Sequence, residues 1–205
     1  MPKSASQRNV ARAVLMALGI ARLAELRDAG VTAATVSRME RDGEVLRLAR
    51  GLYQLPDAPL DTHHSLAEVA KRIPKGVVCL VSALAFHGLT DQLPRPVWLA
   101  IGHKDWPPKP DGTPFRLVRF TDRLLNEGVE IHSIEGVSVK VFGIAKTVAD
   151  CFRYRNKIGL PVAIEGLQEA LRQRKTTPAE IARQAERGAV ATIIRPYLEA
   201  LTAHS

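Results

Sequence analysis

The sequence predicts an α+β protein built from two parts, and two observations favour that fold class. In the first part, a helical spacing of apolar residues gives way to alternation near residue 45. In the second part, four strand-like segments are followed by a helical pattern that continues to the end of the chain. The length of 205 residues and the hydrophobic fraction of 46% suit one or two globular domains, each with its own apolar core.

The first part opens with three short helices. Apolar residues at positions i, i+4, i+5 and i+8 predict a helix over 7–18, which ends at Gly19. A second short helix is predicted over 21–29. The third begins after Thr32, whose hydroxyl suits an N-cap, and it continues to Asp42.

A hairpin follows these helices. Alternating residues predict strands over 45–48 and 52–55, with Gly51 at the turn. Three short helices and then a hairpin is the element order of a winged helix-turn-helix domain. The segment 57–61 is rich in Pro and Asp, which is typical of a connection. We therefore predict a winged helix-turn-helix domain over residues 1–58 and a second domain over residues 59–205.

The second domain combines helices with short strands. We expect a mixed α/β domain in which a small, mainly antiparallel sheet is followed by C-terminal helices. The predicted strands are 97–101, 115–120, 129–134 and 137–142, and the predicted helices are 62–73, 82–87, 144–156, 161–174, 178–186 and 189–203.

The composition favours a polyanionic partner. The formal net charge is +8, and the isoelectric point is about 9.9. Residues 1–60 contain eight arginines and one lysine, and the planar guanidinium group suits phosphates and guanine edges better than an ammonium does. Double-stranded DNA is therefore the partner that the first domain predicts.

The third helix has the features of a recognition helix. On a helical wheel, Val36 and Met39 share one side, and the polar and basic residues lie on the other. A recognition helix enters the major groove with its N-terminal half and outer face, and a wing contacts phosphates or the minor groove. The predicted DNA-contacting residues are Thr35, Ser37, Arg38 and Arg41 of the third helix, with Arg47 and Arg50 of the hairpin.

A second basic surface is predicted in the last third of the chain. On the helix that begins near residue 144, Lys146, Arg153 and Lys157 fall within about 100° of arc. With Arg155 they form a candidate surface for binding an anion, and a solvated helix face is the simpler alternative.

Searches for catalytic motifs give no candidate. The sequence lacks GxGxxG, the phosphate-binding P-loop, HExxH and GxSxG. Six histidines are scattered, and Cys79 and Cys151 lie in apolar surroundings outside any CxxC motif. We predict no catalytic residue, no metal site and no cofactor. Without a secretion signal or an apolar run that could cross a bilayer, we expect a cytoplasmic protein with no membrane association.

Four stretches together resemble the AbiEi family of antitoxins and transcriptional regulators. Residues 50–56 read RGLYQLP, residues 82–90 read SALAFHGLT, residues 146–152 read KTVADCF, and residues 195–198 read RPYL. Each motif is weak by itself, but their order and spacing are specific. The resemblance covers about residues 8–201.

The resemblance implies a function for each domain. The winged helix-turn-helix domain would bind operator inverted repeats and repress the chain's own operon. The protein would be a monomer in solution or assemble cooperatively on DNA. The second domain would act as the antitoxin of a type IV toxin–antitoxin system in phage defence, against an AbiEii-like nucleotidyltransferase toxin. The candidates for its antitoxin surface are then Lys146, Arg153, Arg155 and Lys157.

Two other classes of function stay open at this stage. A nucleic-acid-processing or phosphoryl-transfer enzyme would cleave nucleic acid or consume nucleotide with Mg²⁺. A winged-helix protein-interaction scaffold would bind a protein partner without affinity for DNA.

Overall fold

The computed structural model describes residues 6–106 and 109–203. Helices and strands are mixed up to residue 142 in this part of the chain, and only helices follow. The helices are α1 (Gln7–Leu18), α2 (Leu23–Asp28), α3 (Ala33–Arg41), α4 (His64–Arg72), α5 (Leu80–Phe86), α6 (Asp122–Asn126), α7 (Ile144–Arg153), α8 (Arg155–Ile158), α9 (Leu160–Arg172), α10 (Pro178–Arg187) and α11 (Ala191–Thr202). The strands are β1 (Ile20–Arg22), β2 (Leu46–Ala49), β3 (Leu52–Gln54), β4 (Val77–Val78), β5 (Val97–Gly102), β6 (Phe115–Phe120), β7 (Val129–Ile134) and β8 (Val137–Phe142).

The N-terminal elements surround a small antiparallel sheet with the order β1-β3-β2. The strands β2 and β3 form the predicted hairpin, and their pairing is irregular between Arg47 and Ala49. The full order α1-β1-α2-α3-β2-β3 is compatible with a winged helix-turn-helix. The strand β1 replaces the start of the helix predicted over 21–29, because Ile20 to Arg22 hydrogen-bond to β3 instead of continuing a helix.

The helix α3 begins and ends where the sequence predicts. The hydroxyl of its N-cap, Thr32, accepts a hydrogen bond from the Thr35 N–H, which satisfies one of the unpaired donors of the first turn. After the helix, Gly43 adopts a positive φ of 73°. Val36 and Met39 are buried in the apolar core that α3 shares with α1 and the sheet.

The second sheet has five strands in the order β6-β5-β4-β8-β7. The expectation of a small, mainly antiparallel sheet is wrong here, because β5 pairs parallel with β6 and β4 pairs parallel with β8, whereas β4 and β5 are antiparallel. The connection between β5 and β6 is long enough for a crossover, and a parallel pair needs one. The sheet is therefore larger and mixed.

Helices cover this sheet and form the larger core. Buried residues of α5, α7, α9, α10 and α11 pack in one cluster with the apolar residues of the strands. The last helix, α11, contains Pro196 and continues through it. In the described residues, no helix has the length and apolar character that crossing a membrane requires.

The described residues divide into two compact units. The first contains residues 6–74, 109–114 and 132–139, and the second contains the remainder. The first unit extends past residue 58 because later segments hydrogen-bond to it. The carboxylate of Glu135, for example, accepts from Gln54 Nε2 at 3.3 Å and from the Asp61 N–H at 2.6 Å. The domain boundary at residue 58 stays a prediction.

The end of α1 gives a test of how the first unit is assembled. Gly19 has a φ of 65°, and an added Cβ would overlap the carbonyl oxygen of Glu135, whereas Gly30 has a φ of 89° and open space around it. Alanine at either position is strained, because a residue with a Cβ rarely adopts such a positive φ. Gly19→Ala adds the overlap, so we expect it to lower the Tm well beyond Gly30→Ala in thermal unfolding. Equal losses would contradict the docking of the Glu135 turn onto α1.

Candidate nucleic-acid interface

The outer face of α3 carries the residues predicted to contact DNA. Ser37, Arg38 and Arg41 are exposed, while Val36 and Met39 on the opposite side are buried. This division follows from the 100° rotation per residue of an α-helix. Three of the four predicted residues of α3 therefore share one accessible surface.

The two arginines of this face each donate a hydrogen bond to a backbone carbonyl one turn earlier in α3. Arg38 Nε donates to the carbonyl of Ala34 at 3.3 Å, and Arg41 Nε donates to the carbonyl of Ser37 at 3.4 Å. Neither guanidinium group has a carboxylate partner within residues 6–106 and 109–203. Their terminal nitrogens are accordingly available to a guanine edge or a phosphate.

The acidic residues near α3 are matched by other arginines. Arg8 of α1 pairs with Asp42 at 2.7 Å and also with Glu44, which in addition accepts from Arg12 at 3.2 Å. Hydrogen bonds to Asp42 and Glu44 raise the pKa of Arg8. These carboxylates are therefore neutralised from the side of α1, and the positive charge of the outer face is retained.

Thr35 differs from the other predicted residues of α3. It is half-buried, and its hydroxyl donates to Gln7 Oε1 at 2.6 Å. A base contact through this hydroxyl would have to replace that bond. Sequence reasoning missed Gln7, because the two residues are 28 positions apart and belong to different helices.

The hairpin presents the remaining two arginines, Arg47 from β2 and Arg50 from the turn. Arg47 and Arg50 are exposed, and Arg47 lies 4.0 Å from Glu40 of α3, so the structure brings the hairpin and α3 together at this point. An exposed pair at that distance contributes little to stability. Arg50 is at the turn beside Gly51, which has a positive φ of 71°.

A carboxylate that sequence reasoning missed lies at the same turn. Asp111 accepts a hydrogen bond from the Arg50 N–H, and the Gly112 N–H donates to its other oxygen at 3.1 Å. These bonds, with that from Arg50 contributing most, lower the pKa of Asp111, so it is ionised beside the turn. Its position 61 residues after Arg50 leaves no local signal in the sequence.

The second predicted surface is divided by the structure. Lys146 is buried, and its Nζ lies 2.8 Å from the buried carboxylate of Asp150. The ammonium group also lies 4.3 Å from the ring centre of Phe142. Burial raises the pKa of Asp150 even though Lys146 opposes it. Lys146 therefore belongs to the core of the second unit and not to an exposed basic face.

The other three residues of that predicted surface lie on both sides of a break in the helix. The helix predicted over 144–156 ends at Arg153, and Tyr154 separates α7 from α8. Arg153 and Lys157 lie 5.8 Å and 5.7 Å from the Tyr154 ring centre, and Arg155 donates to the carbonyl of Phe152 at 3.0 Å. The predicted role of these three residues as an antitoxin surface stays a prediction.

Outside these surfaces, two kinds of titratable group bear on metal binding and nucleophilic chemistry. In the part of the chain that the structure describes, no group of three or more His, Cys, Asp or Glu residues is placed to hold a metal ion. Cys79 and Cys151 are buried, free thiols, and burial raises the pKa of both. A thiol held protonated in this way is a poor nucleophile.

Comparison with known proteins supports the resemblance of the N-terminal segment to the AbiEi family. Residues 10–56 match the family model of the AbiEi antitoxin transcriptional regulators, which confirms the resemblance for that segment. The fold resembles the crystal structure of the RV2827C protein from Mycobacterium tuberculosis, with a TM-score of 0.61 and 12% identity, over 97% of this chain and 80% of that one. No curated protein matches the chain significantly.

The buried ion pair gives a test of the revised position of Lys146. Lys146→Met leaves the Asp150 carboxylate buried without its counter-ion, so we expect a loss of about 3–5 kcal/mol in the free energy of unfolding. The double variant Lys146→Met with Asp150→Leu removes both charges and should lose less than the single variant. Urea denaturation measures both. Substitution of an exposed lysine usually changes the free energy of unfolding by about half of 1 kcal/mol or less. A loss below about 1 kcal/mol in the single variant would therefore contradict the burial of Lys146.

Proposed function

We propose, from the match of residues 10–56 to the AbiEi antitoxin regulators, that this protein is a DNA-binding transcriptional autorepressor with a winged helix-turn-helix domain. The single observation that supports this most is the outer face of α3. Ser37, Arg38 and Arg41 are exposed there, and the nearby acidic residues are paired with other arginines. Such a face has the charge and the hydrogen-bond donors that a major groove requires.

In this mechanism, α3 is the recognition helix and reads base edges in the major groove. Arg38 is assigned to a guanine, since its terminal nitrogens match the O6 and N7 acceptors, and Ser37 and Arg41 contact adjacent bases or phosphates. The hairpin is the wing, from which Arg50 reaches the minor groove or a phosphate. Arg47 is assigned to a phosphate and exchanges its weak contact with Glu40 for it.

Repression follows if the bound sequence overlaps the promoter of the chain's own operon. We infer operator inverted repeats, to which the protein binds as a monomer or assembles cooperatively. Two copies of one surface match two half-sites related by a dyad. Phosphate contacts release counterions, so the affinity falls steeply as the salt concentration rises.

Removal of the proposed base contact should weaken DNA binding and leave the fold intact. We expect Arg38→Ala to lower the affinity for the duplex upstream of the chain's own gene by about tenfold or more, because a bidentate arginine–guanine contact contributes about 1–3 kcal/mol. Arg50→Ala should also lower this affinity, because it removes the contact of the wing with the minor groove or a phosphate. Gel-shift titration at fixed salt measures this, with circular dichroism to confirm folding.

The matched control is Arg195→Ala, which removes an exposed arginine from α11. It changes the net charge as the test variants do and should leave the affinity near that of the parent. If Arg38→Ala and Arg50→Ala bind as well as this control does, the assignment of the DNA-binding face is wrong.

We also propose that the protein is the antitoxin of a type IV toxin–antitoxin system. The support is the description of the matched family as antitoxin regulators. The partner inferred is an AbiEii-like nucleotidyltransferase toxin, with Arg153, Arg155 and Lys157 as the candidate surface. In a type IV system the antitoxin does not need to form a stable complex with its toxin.

Growth under toxin expression tests the antitoxin proposal. When the chain is expressed with a nucleotidyltransferase toxin encoded beside it, we expect growth to be restored. Arg155→Ala with Lys157→Ala should reduce that rescue, because it removes two cations of the candidate surface. Arg38→Ala, which affects only DNA binding, should retain it. Rescue that depends on Arg38 and not on the pair would place the antitoxin function in the first unit.

A further inference from the structure

Gln7 is the first residue of α1, and its amide oxygen lies against the start of α3. Three groups donate to this oxygen: the Thr32 N–H at 3.2 Å, the Thr32 hydroxyl at 3.1 Å and the Thr35 hydroxyl at 2.6 Å. A backbone N–H can only donate, so the contact with Thr32 fixes which end of the amide faces α3. One side chain of α1 thereby holds two residues of the first turn of α3.

The same contacts orient the N-cap of α3. Thr32 Oγ1 accepts from the Thr35 N–H at 3.2 Å. When the proton of this hydroxyl is directed to Gln7, the lone pairs of the oxygen are left for the Thr35 N–H. Gln7 therefore supports the cap as well as the position of the helix, and both effects act on the end of α3 that enters a groove first.

Ion pairs bring α1 to the other end of α3. Arg8 and Arg12 contact Asp42 and Glu44, which follow the last turn of α3. Leu15 of α1 and Val36 and Met39 of α3 belong to one buried apolar cluster. Apolar packing is non-directional, whereas hydrogen bonds have preferred angles. The polar contacts at the two ends are therefore what fixes the direction of α3 on α1.

We propose that Gln7 is a positioning residue for DNA reading. By holding Thr32 and Thr35, it sets the direction in which α3 presents Ser37 and Arg38. A displacement of about 1 Å is enough to impair a recognition contact. The inference rests on the proposed DNA-binding function, and it gives Gln7 no contact with DNA.

Two substitutions separate positioning from general stability. Gln7→Met has similar length and helix propensity but no acceptor, whereas Gln7→Glu retains an acceptor oxygen and serves as the rescue. Gln168→Met is the matched control, because Gln168 is an exposed glutamine of α9. All three are made in the full chain.

The first measurement does not involve DNA. Amide hydrogen exchange followed by NMR reports opening of the first turn of α3. We expect Gln7→Met to accelerate exchange of the Thr35 N–H by about tenfold relative to the parent. Loss of the exposed hydrogen bonds to Gln7 lowers the free energy of local opening by an amount that corresponds to about a tenfold change in exchange rate. Gln7→Glu and Gln168→Met should exchange as the parent does.

The second measurement is the ratio of affinities for the upstream duplex and a scrambled duplex of equal length, at one salt concentration. We expect Gln7→Met to lower this ratio by about tenfold. Base contacts require an aligned α3, whereas phosphate contacts tolerate a loss of alignment. Gln7→Glu should keep the ratio within about threefold of the parent while lowering both affinities, since its charge repels all phosphates alike.

The outcomes separate this proposal from the proposed function. Faster exchange with a lower ratio in Gln7→Met, and recovery of both in Gln7→Glu, support positioning. An unchanged exchange rate of the Thr35 N–H in Gln7→Met overturns the proposal. A lower Tm of this variant with an unchanged affinity ratio also overturns it, because a purely structural role would give that result. If the parent itself does not prefer the upstream duplex, the proposed function fails, and faster exchange then shows that Gln7 orders α3 without serving DNA reading.

Discussion

The burial of Val36 and Met39 is the constraint on which the outer face of α3 depends. Their side chains are at most 1% exposed, and burial of an apolar side chain of this size contributes about 1.5–3 kcal/mol. Because the helix is rigid, fixing these two residues inward directs Arg38 and Arg41 outward. Apolar packing therefore determines which charges are accessible, and the polar contacts of α1 then determine their direction.

The arginines of the N-terminal unit have two different roles. Arg8 and Arg12 neutralise the carboxylates that follow α3, so their charges contribute little to an external field. Arg38 and Arg41 have no such partner among the described residues and supply the field of the outer face. Net charge alone does not distinguish these roles. At the hairpin turn, the carboxylate of Asp111 partly offsets the positive charge of Arg50.

Periodicity was sufficient to predict most helices and the strands longer than three residues. It placed α1 and α3 correctly because caps and glycines mark their ends. It missed β1, which is defined by its pairing with β3 much later in the chain, and it could not give strand direction, which also depends on contacts distant in sequence. The exposed position assumed for Lys146 was wrong for a local reason. Asp150 is four residues later on the same helix face, and that spacing already indicated an ion pair.

The first compact unit draws on three separate stretches of chain, the last of which is 132–139. A ribosome adds about 5–20 residues per second. The three helices at the N-terminus are therefore synthesised well before the Glu135 carboxylate that holds Gln54 and His64 in the same unit. Completion of the first unit is thus linked to translation of more than half of the polypeptide, and an incomplete nascent chain lacks part of the scaffold of that unit.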